Sequence, residues 1–397
     1  MMWTTNNGCL ISATVYSPEK QKGKCHENRT HHHTENLQSH QTPLYYGVRK
    51  PVGIQFHSGF TGKRRQDGVG GEAAPGGGPL FSPYTDHTSY IIARDFIAPC
   101  LLGRELKSGE ELQELLKPIR GNMYAKAAFD AALWDLLARR EGKPLYRMIG
   151  SRRNLCSIGY TFGVLRNYDE LLAGIEHAVG TGYPRVKLKF CPGWETDMLA
   201  AVRSAFPDIT IHIDCNSAYT PADLPMLKNL DKFNLAMIEQ PLMHDDLIDH
   251  ADLQKKIGTP VCLDESVTSF QDAEQAIRIG ACRFINIKYA RVGGITNALK
   301  IHWLCGENGI GCWLGGMGES SLGTTVAASL ATLPHVSYPS DISPSEKFYV
   351  KNLGTPVLAT DKPGTYTLRD NPGLDVTPEP EALREFTVEK CEFKAEK

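Results

Sequence analysis

The sequence predicts an α/β protein, a barrel of eight βα units joined to a smaller α-rich domain, and three observations carry that reading. From Asn154 onward, apolar runs of about five to seven residues alternate with helical stretches, the pattern of repeated βα units. Eight such runs can be counted, as many as a closed parallel barrel needs. Charged residues end five of them, at the face where barrel enzymes gather their reacting groups.

Size and composition agree. With 397 residues and 41% hydrophobic content, the chain can bury a large core in two domains. The 43 Lys and Arg against 45 Asp and Glu leave a net charge of -2, so no overall field draws the chain to nucleic acid or an anionic membrane. A small-molecule partner is expected instead. No run of about 18 apolar residues is present to span a bilayer, and Cys9 to Val15 lacks a basic flank and a cleavage site. The expected location is the cytoplasm. Eleven cysteines show no CxxC and no paired spacing, which argues against disulfides and zinc. Cys156, Cys215, Cys262 and Cys312 fall inside expected strands as small buried hydrophobes.

Taken in order, residues 1–67 are polar, with little alternation or helical periodicity, and read as an atypical, poorly ordered segment. The triplet His31-His32-His33 reads as a solvated polar tract. Residues 68–152 read as the smaller domain. It opens on a short strand end and a flexible Gly-rich loop between Gly68 and Pro79, followed by a helix from about Asp86 to Leu102. Ser108 with Glu111 makes a capping box for a second helix. Asn122 opens a third, which carries Ala127, Ala128, Ala131, Leu133 and Leu137 and stops at Gly142 and Pro144. Residues 153–345 form the barrel, with strands expected at Cys156–Phe162, Arg185–Lys189, Ile211–Cys215, Ala236–Gln240, Val261–Glu265, Phe284–Lys288, Gly311–Leu314 and Val336–Tyr338. Residues 346–397 are turn-rich and are expected to pack back on the first domain and complete it.

The chemistry lies at the strand ends. Lys189, Asp214, Glu239 and Asp264 follow one another at intervals of 25 residues, and Lys288 comes 24 later, about one βα unit per step. Three carboxylates on successive strands repel one another unless a cation sits between them, and all-oxygen ligation suits Mg²⁺ or Mn²⁺ rather than zinc. Strand-end carboxylates can also cap the following helices. Capping accounts for one such residue but not for three carboxylates and two lysines in register, since an isolated buried charge costs several kcal/mol. Lys189 and Lys288 come from opposite sides of an eight-membered ring and can flank a substrate α-carbon. A nearby cation and the opposing ammonium lower a lysine pKa and make a neutral amine available as base. Asn216 either serves the site or caps its loop, and Glu265 supports a lysine or a metal ligand from behind.

In this order and spacing, Lys187-Leu188-Lys189, Asp214-Cys215-Asn216, Ile238-Glu239-Gln240-Pro241, Leu263-Asp264-Glu265-Ser266 and Asn286-Ile287-Lys288 resemble the enolase superfamily and its muconate-lactonising subgroup. Further features resemble the o-succinylbenzoate synthase and N-acylamino acid racemase group. They are Arg120-Gly121-Asn122, Arg291-Val292-Gly293-Gly294 after Lys288, Gly315-Gly316-Met317-Gly318-Glu319-Ser320 and Ser340-Asp341-Ile342-Ser343. The resemblance runs from about Gly68 to the C-terminus. It implies a modified, TIM-like (β/α)7β barrel with an α+β capping domain. It also implies Asp214, Glu239 and Asp264 as Mg²⁺ ligands, Lys189 as base and returning acid, and Lys288 as the partner on the opposite face.

Lys187, Thr161, and Gly316 with Met317 are then expected to bind the substrate or support the site, although Gly315 to Gly318 also fits a plain strand-to-helix turn. Arg291 either pairs with a carboxylate near Lys288 or covers barrel surface with its stem. The chain departs from the family at Lys288-Tyr289-Ala290-Arg291, where Lys-Pro-Gly-Arg is usual. Residues 1–67 do not resemble the family's N-terminal strands and mobile loop. The expected activity is o-succinylbenzoate synthesis in menaquinone biosynthesis, with N-acylamino acid racemisation as the alternative and a non-catalytic metal-binding barrel as the third reading. The expected partner is a small carboxylate substrate, and the resemblance also allows a homo-oligomer.

Overall fold

The computed structural model describes residues 9–16, 52–58, 67–68, 72–73, 82–165, 167–194, 196–349 and 351–394. The His31 to His33 triplet lies outside them.

The first domain is built on an antiparallel sheet. Strand β1 (Cys9–Tyr16) pairs with β2 (Val52–Ser58), which also carries the short strands β3 (Asp67–Gly68) and β4 (Glu72–Ala73). On its other edge β1 pairs with the C-terminal strand Thr387–Lys394, so the tail completes this sheet. The reading of residues 1–67 as lacking strands is thus corrected at 9–16 and 52–58. One partner of β1 lies more than 300 residues away, and pairing of that kind leaves little local trace.

The helix expected from Asp86 runs as Asp86–Ile92, a π-helical turn Ala93–Ile97 and Ala98–Leu101. The Ser108 hydroxyl accepts from Glu111 N–H at 3.2 Å, but the Glu111 carboxylate reaches Lys107 N–H at 2.8 Å rather than Ser108, so the box closes one residue early. Helix Met123–Arg140 buries 14 of its 18 residues, as a helix with neighbours on all sides must. Its alanines let it lie between the sheet and the barrel helix Ile295–Glu307.

The second domain holds seven parallel strands in sequence order: β6 (Tyr160–Phe162), β7 (Val186–Lys189), β8 (Ile211–Asp214), β9 (Ile238–Glu239), β10 (Val261–Leu263), β11 (Phe284–Ile287) and β12 (Gly311–Leu314). The expected first strand is divided. Its start, β5 (Leu155–Ser157), pairs antiparallel with Thr365–Thr367 of the tail, and only β6 enters the barrel. Between them a Cβ on Gly159 would lie 2.0 Å from Arg185 Nε, so glycine makes room for a fully buried arginine.

The expected eighth strand, Val336–Tyr338, is also corrected. Residues 336–341 close the ring through isolated bridges, Val336 with Cys312, Asp341 with Gly315, and Ser340 with Ile158. Pro339 has no N–H to give a ladder, and its carbonyl accepts instead from Arg185 Nε at 3.1 Å.

Strand side chains alternate with period two, so residues that face into the barrel form layers. Met237, Cys262 and Trp313, with Phe284 and Tyr338, make the apolar lower layer. Two residues further on stand Glu239, Asp264, Gly315 and Asn286, at the mouth. Among the described residues no helix is long and apolar enough to cross a membrane.

Candidate active site

The parallel register sets the site. Lys189 pairs with Asp214, and Asp214 with Glu239, so three charged side chains stand in a row along the C-terminal edge. Glu239 also pairs with Cys262, which puts Asp264 one pleat further along β10. Lys288 follows Ile287 at the end of β11, across the ring from Lys189.

The side chains meet in two clusters. In the first, Lys187 Nζ lies 2.9 Å from Asp214 Oδ2, 2.9 Å from Glu239 Oε2 and 3.4 Å from Asp341 Oδ2. Lys189 Nζ donates to Asp214 Oδ2 at 2.7 Å and also to Asn216 Oδ1. Asn216 Nδ2 in turn donates to Glu265 Oε1 at 2.8 Å. In the second, Lys288 Nζ donates to Asp264 Oδ2 at 2.8 Å, and Arg291 bonds the other oxygen, Asp264 Oδ1. Arg291 is therefore a site residue, with only 6% of its surface exposed.

Burial and neighbouring charge split the carboxylates. Burial pushes Asp214 up, but Lys187 and Lys189 outweigh it and hold the group well below the usual range. Asp264 is lowered in the same way, Arg291 and Lys288 outweighing burial. Glu239 is different. Burial, and then the charge of Asp214, raise it to about 7. Burial and Asp264 likewise bring Glu265 to about 7. Lys187, although desolvated, is raised by Asp214, Glu239 and Asp341, which keep it an ammonium.

Asp214, Glu239 and Asp264 offer only oxygen donors, the chemistry that Mg²⁺ and Mn²⁺ take. Glu239 Oε2 is buried and receives no hydrogen bond, although Lys187 Nζ lies 2.9 Å away. This open acceptor, on a carboxyl flanked by two others, fits a cation. The lysines stand among the carboxylates, and within the described residues no three His, Cys, Asp or Glu side chains already converge on one point.

The remaining expected residues reach the site by one further contact. Thr161 Oγ1 donates to Asp341 Oδ1 at 2.6 Å, which connects it to Lys187. Gly316 N–H donates to the Asp341 carbonyl at 2.8 Å, which makes its segment part of the barrel closure. Met317 Sδ lies 3.9 Å from Arg291 Nη2, and its N–H is held by Glu319.

Four residues were missed as site members: Arg185, His212, Asn286 and Asp341. Asp341 lies 3.4 Å from Lys187 and 4.0 Å from Arg185, and these cations outweigh burial and lower its carboxyl. Asn286 Nδ2 donates to Glu239 Oε1 at 2.8 Å. A Cβ on Gly315 would sit 2.3 Å from Asn286 Oδ1, so that glycine preserves the contact. The signal was present for three of them. Arg185, His212 and Asn286 each lie two residues before a recognised group on the same strand, hence on the same face.

Comparisons with known proteins bear on the family and the fold. Residues 61–150 match the N-terminal domain of the mandelate racemase / muconate lactonizing enzyme family, and residues 170–382 match the enolase C-terminal domain-like family. The first match begins ahead of Gly68. An o-succinylbenzoate synthase of Geobacillus kaustophilus is 41% identical over 310 residues, 78% of this chain and 82% of its own length. An N-succinylamino acid racemase of Thermus thermophilus is 40% identical over 298 residues, 75% of this chain and 80% of its own. An enolase superfamily member from Listeria innocua superposes with a TM-score of 0.85 at 33% identity, over 98% of this chain and 99% of its own.

Proposed function

The chain belongs to the enolase superfamily, in the family of o-succinylbenzoate synthases and N-succinylamino acid racemases, and from that premise we propose that it is an o-succinylbenzoate synthase. As a lyase or racemase of this family it acts on an acidic C–H bond. The observation that carries the proposal is the pair of lysines on diametric strands, Lys189 on Asp214 at 2.7 Å and Lys288 on Asp264 at 2.8 Å, with Glu239 between their carboxylates.

In this reading Lys189 Nζ takes the proton α to the carboxylate of a cyclohexadiene substrate. Asp214 and Asn216 aim that nitrogen, so its lone pair points at the carbon without a search over rotamers. The same nitrogen then delivers a proton to the departing hydroxyl, which leaves as water from the same face. Lys288, fixed on Asp264, presents an ammonium to the opposite face. A Mg²⁺ or Mn²⁺ ion held by Asp214, Glu239 and Asp264 would supply positive charge where the enediolate develops. Menaquinone biosynthesis in the cytoplasm is the setting such a synthase serves.

The second lysine also favours a second reading, an N-succinylamino acid racemase, in which Lys189 and Lys288 exchange the α-proton across the two faces. Purified protein with Mg²⁺ separates the two readings. It is assayed for dehydration of the cyclohexadiene carboxylate, and by proton NMR in D₂O for deuterium at the α-carbon of N-succinyl amino acids. Dehydration supports the synthase. Racemisation without dehydration moves the assignment to the racemase, and neither activity in protein that binds Mn²⁺ sinks both.

A further inference from the structure

The two oxygens of Glu239 are held differently. Asn286 Nδ2 donates to Oε1 at 2.8 Å, whereas Oε2 has the Lys187 ammonium 2.9 Å away but completes no hydrogen bond with it. The nearest ring nitrogen to Oε2 is His212 Nε2 at 3.3 Å, itself buried and without a partner. On its other side His212 Nδ1 lies 3.0 Å from the Tyr338 hydroxyl, and the ring stands against Trp313 and Tyr338 with centroids 5.3 and 5.5 Å away. His212 and Tyr338 belong to separate segments, β8 and the closing segment 336–341, that meet under the mouth of the barrel.

A neutral imidazole has one donor and one acceptor. A hydroxyl can give or take a hydrogen bond, but an ionised carboxylate only accepts. Nε2 must therefore carry the proton when Glu239 is ionised, and Nδ1 must accept from Tyr338.

We infer that His212 is a positioning residue for Glu239: the Tyr338 hydroxyl fixes its tautomer, and its Nε2–H, beside the Lys187 ammonium, holds Glu239 Oε2 from below the mouth. This rests on the reading of Glu239 as a metal ligand. The chain of groups matches a recurrent device, in which an outer hydrogen bond orients a ligand and its loss weakens metal binding about 10- to 100-fold.

The test is Mn²⁺ titration of the full chain, with free Mn²⁺ read by electron paramagnetic resonance, on wild type and on Glu239→Gln, His212→Leu, His212→Gln and Tyr338→Phe. Glutamine can place an amide N–H near the position of Nε2, so His212→Gln should bind Mn²⁺ within about 2-fold of wild type, and His212→Leu about 10-fold more weakly or worse. Tyr338→Phe, which frees the tautomer, should fall between them. Wild-type affinity in a cooperatively folded His212→Leu protein overturns the inference, provided Glu239→Gln has lost binding. If Glu239→Gln also binds as wild type, the ligand reading has failed and the inference falls with it. Should His212→Leu not fold, the other two variants decide: weak binding by His212→Gln together with unchanged binding by Tyr338→Phe overturns the proposal.

Discussion

Lys189 and Lys288 carry different loads in the two proposed reactions, and this difference can be measured at single residues. A syn elimination needs one base, whereas racemisation needs one on each face. Lys189→Ala should lower dehydration by at least about 10²-fold. In the racemase assay Lys288→Ala should end racemisation yet leave α-proton exchange with D₂O in one enantiomer, followed by proton NMR. Exchange in both enantiomers would show that the second base is some other group. At this scale the sequence was informative because a charge at the end of an apolar strand is conspicuous, and five of them spaced by one βα unit are more so. Asp341 was harder to place. It closes the ring beside Lys187 from a segment that makes only isolated bridges, and nothing local to Ser340-Asp341-Ile342 tells which cations it faces.

Among elements, the join between the domains rests on a cap that crosses from one to the other. Helix Ile295–Glu307 begins after Gly294, which has no side chain to cap it. Asp130, from helix Met123–Arg140, does so instead, Oδ1 accepting from Thr296 N–H at 3.0 Å and Oδ2 from Thr296 Oγ1 at 2.7 Å. Gln113 Nε2 bridges Asp130 Oδ2 and the Gly293 carbonyl, both at 2.9 Å, and so ties the loop after Lys288 to the capping domain. A Cβ on Gly294 would come within 2.5 Å of Asp130, and its φ of +124° favours glycine besides.

Burial outweighs these hydrogen bonds and raises Asp130 from 3.8 to about 6. The native state therefore binds the extra proton between those values. The stability this supplies is complete below 3.8 and lost as pH rises through about 6, some 3 kcal/mol in all. Asp130→Asn stays neutral throughout, so relative to wild type it should gain about 2 kcal/mol between about pH 4.5 and pH 8, read from urea midpoints. A difference that does not vary with pH would refute the assignment. None of this was legible in the sequence, where Asp130 is one polar residue in an Ala-rich helix; the helix itself was legible because its alanines and leucines recur at helical spacing. The divided first strand and the bridged closing segment escaped for a related reason. Both are settled by partners far along the chain, β5 by the tail and Ser340 by Ile158.

Across the whole molecule the two ends of the chain are tied together, and the site lies apart from the tie. Strand β1 is held between β2 and the C-terminal strand Thr387–Lys394. Removal of residues 387–397 would expose the β1 edge, with its row of unpaired N–H and C=O groups, to other chains. Every residue assigned to the cation or to proton transfer, however, ends a barrel strand or directly follows one: Lys189, Asp214, Glu239, Asp264 and Lys288. Among the described residues of the capping domain, Gln113 and Asp130 bond the loop that follows Lys288 rather than the set itself. A protein ending at Phe386 should therefore bind Mn²⁺ within about 3-fold of the full chain, since no ligand or supporting hydrogen bond is removed. Its kcat/KM should fall well below that of the full chain, because the loop after Lys288 is anchored through Gln113 and Asp130 to the loosened domain. Calorimetry should show an early transition before barrel unfolding, and the protein should aggregate at concentrations the full chain tolerates. If Mn²⁺ affinity collapses along with kcat/KM, the sheet and the barrel are one cooperative unit, and the ligand geometry depends on the joined ends of the chain as well as on the strands that bear the ligands.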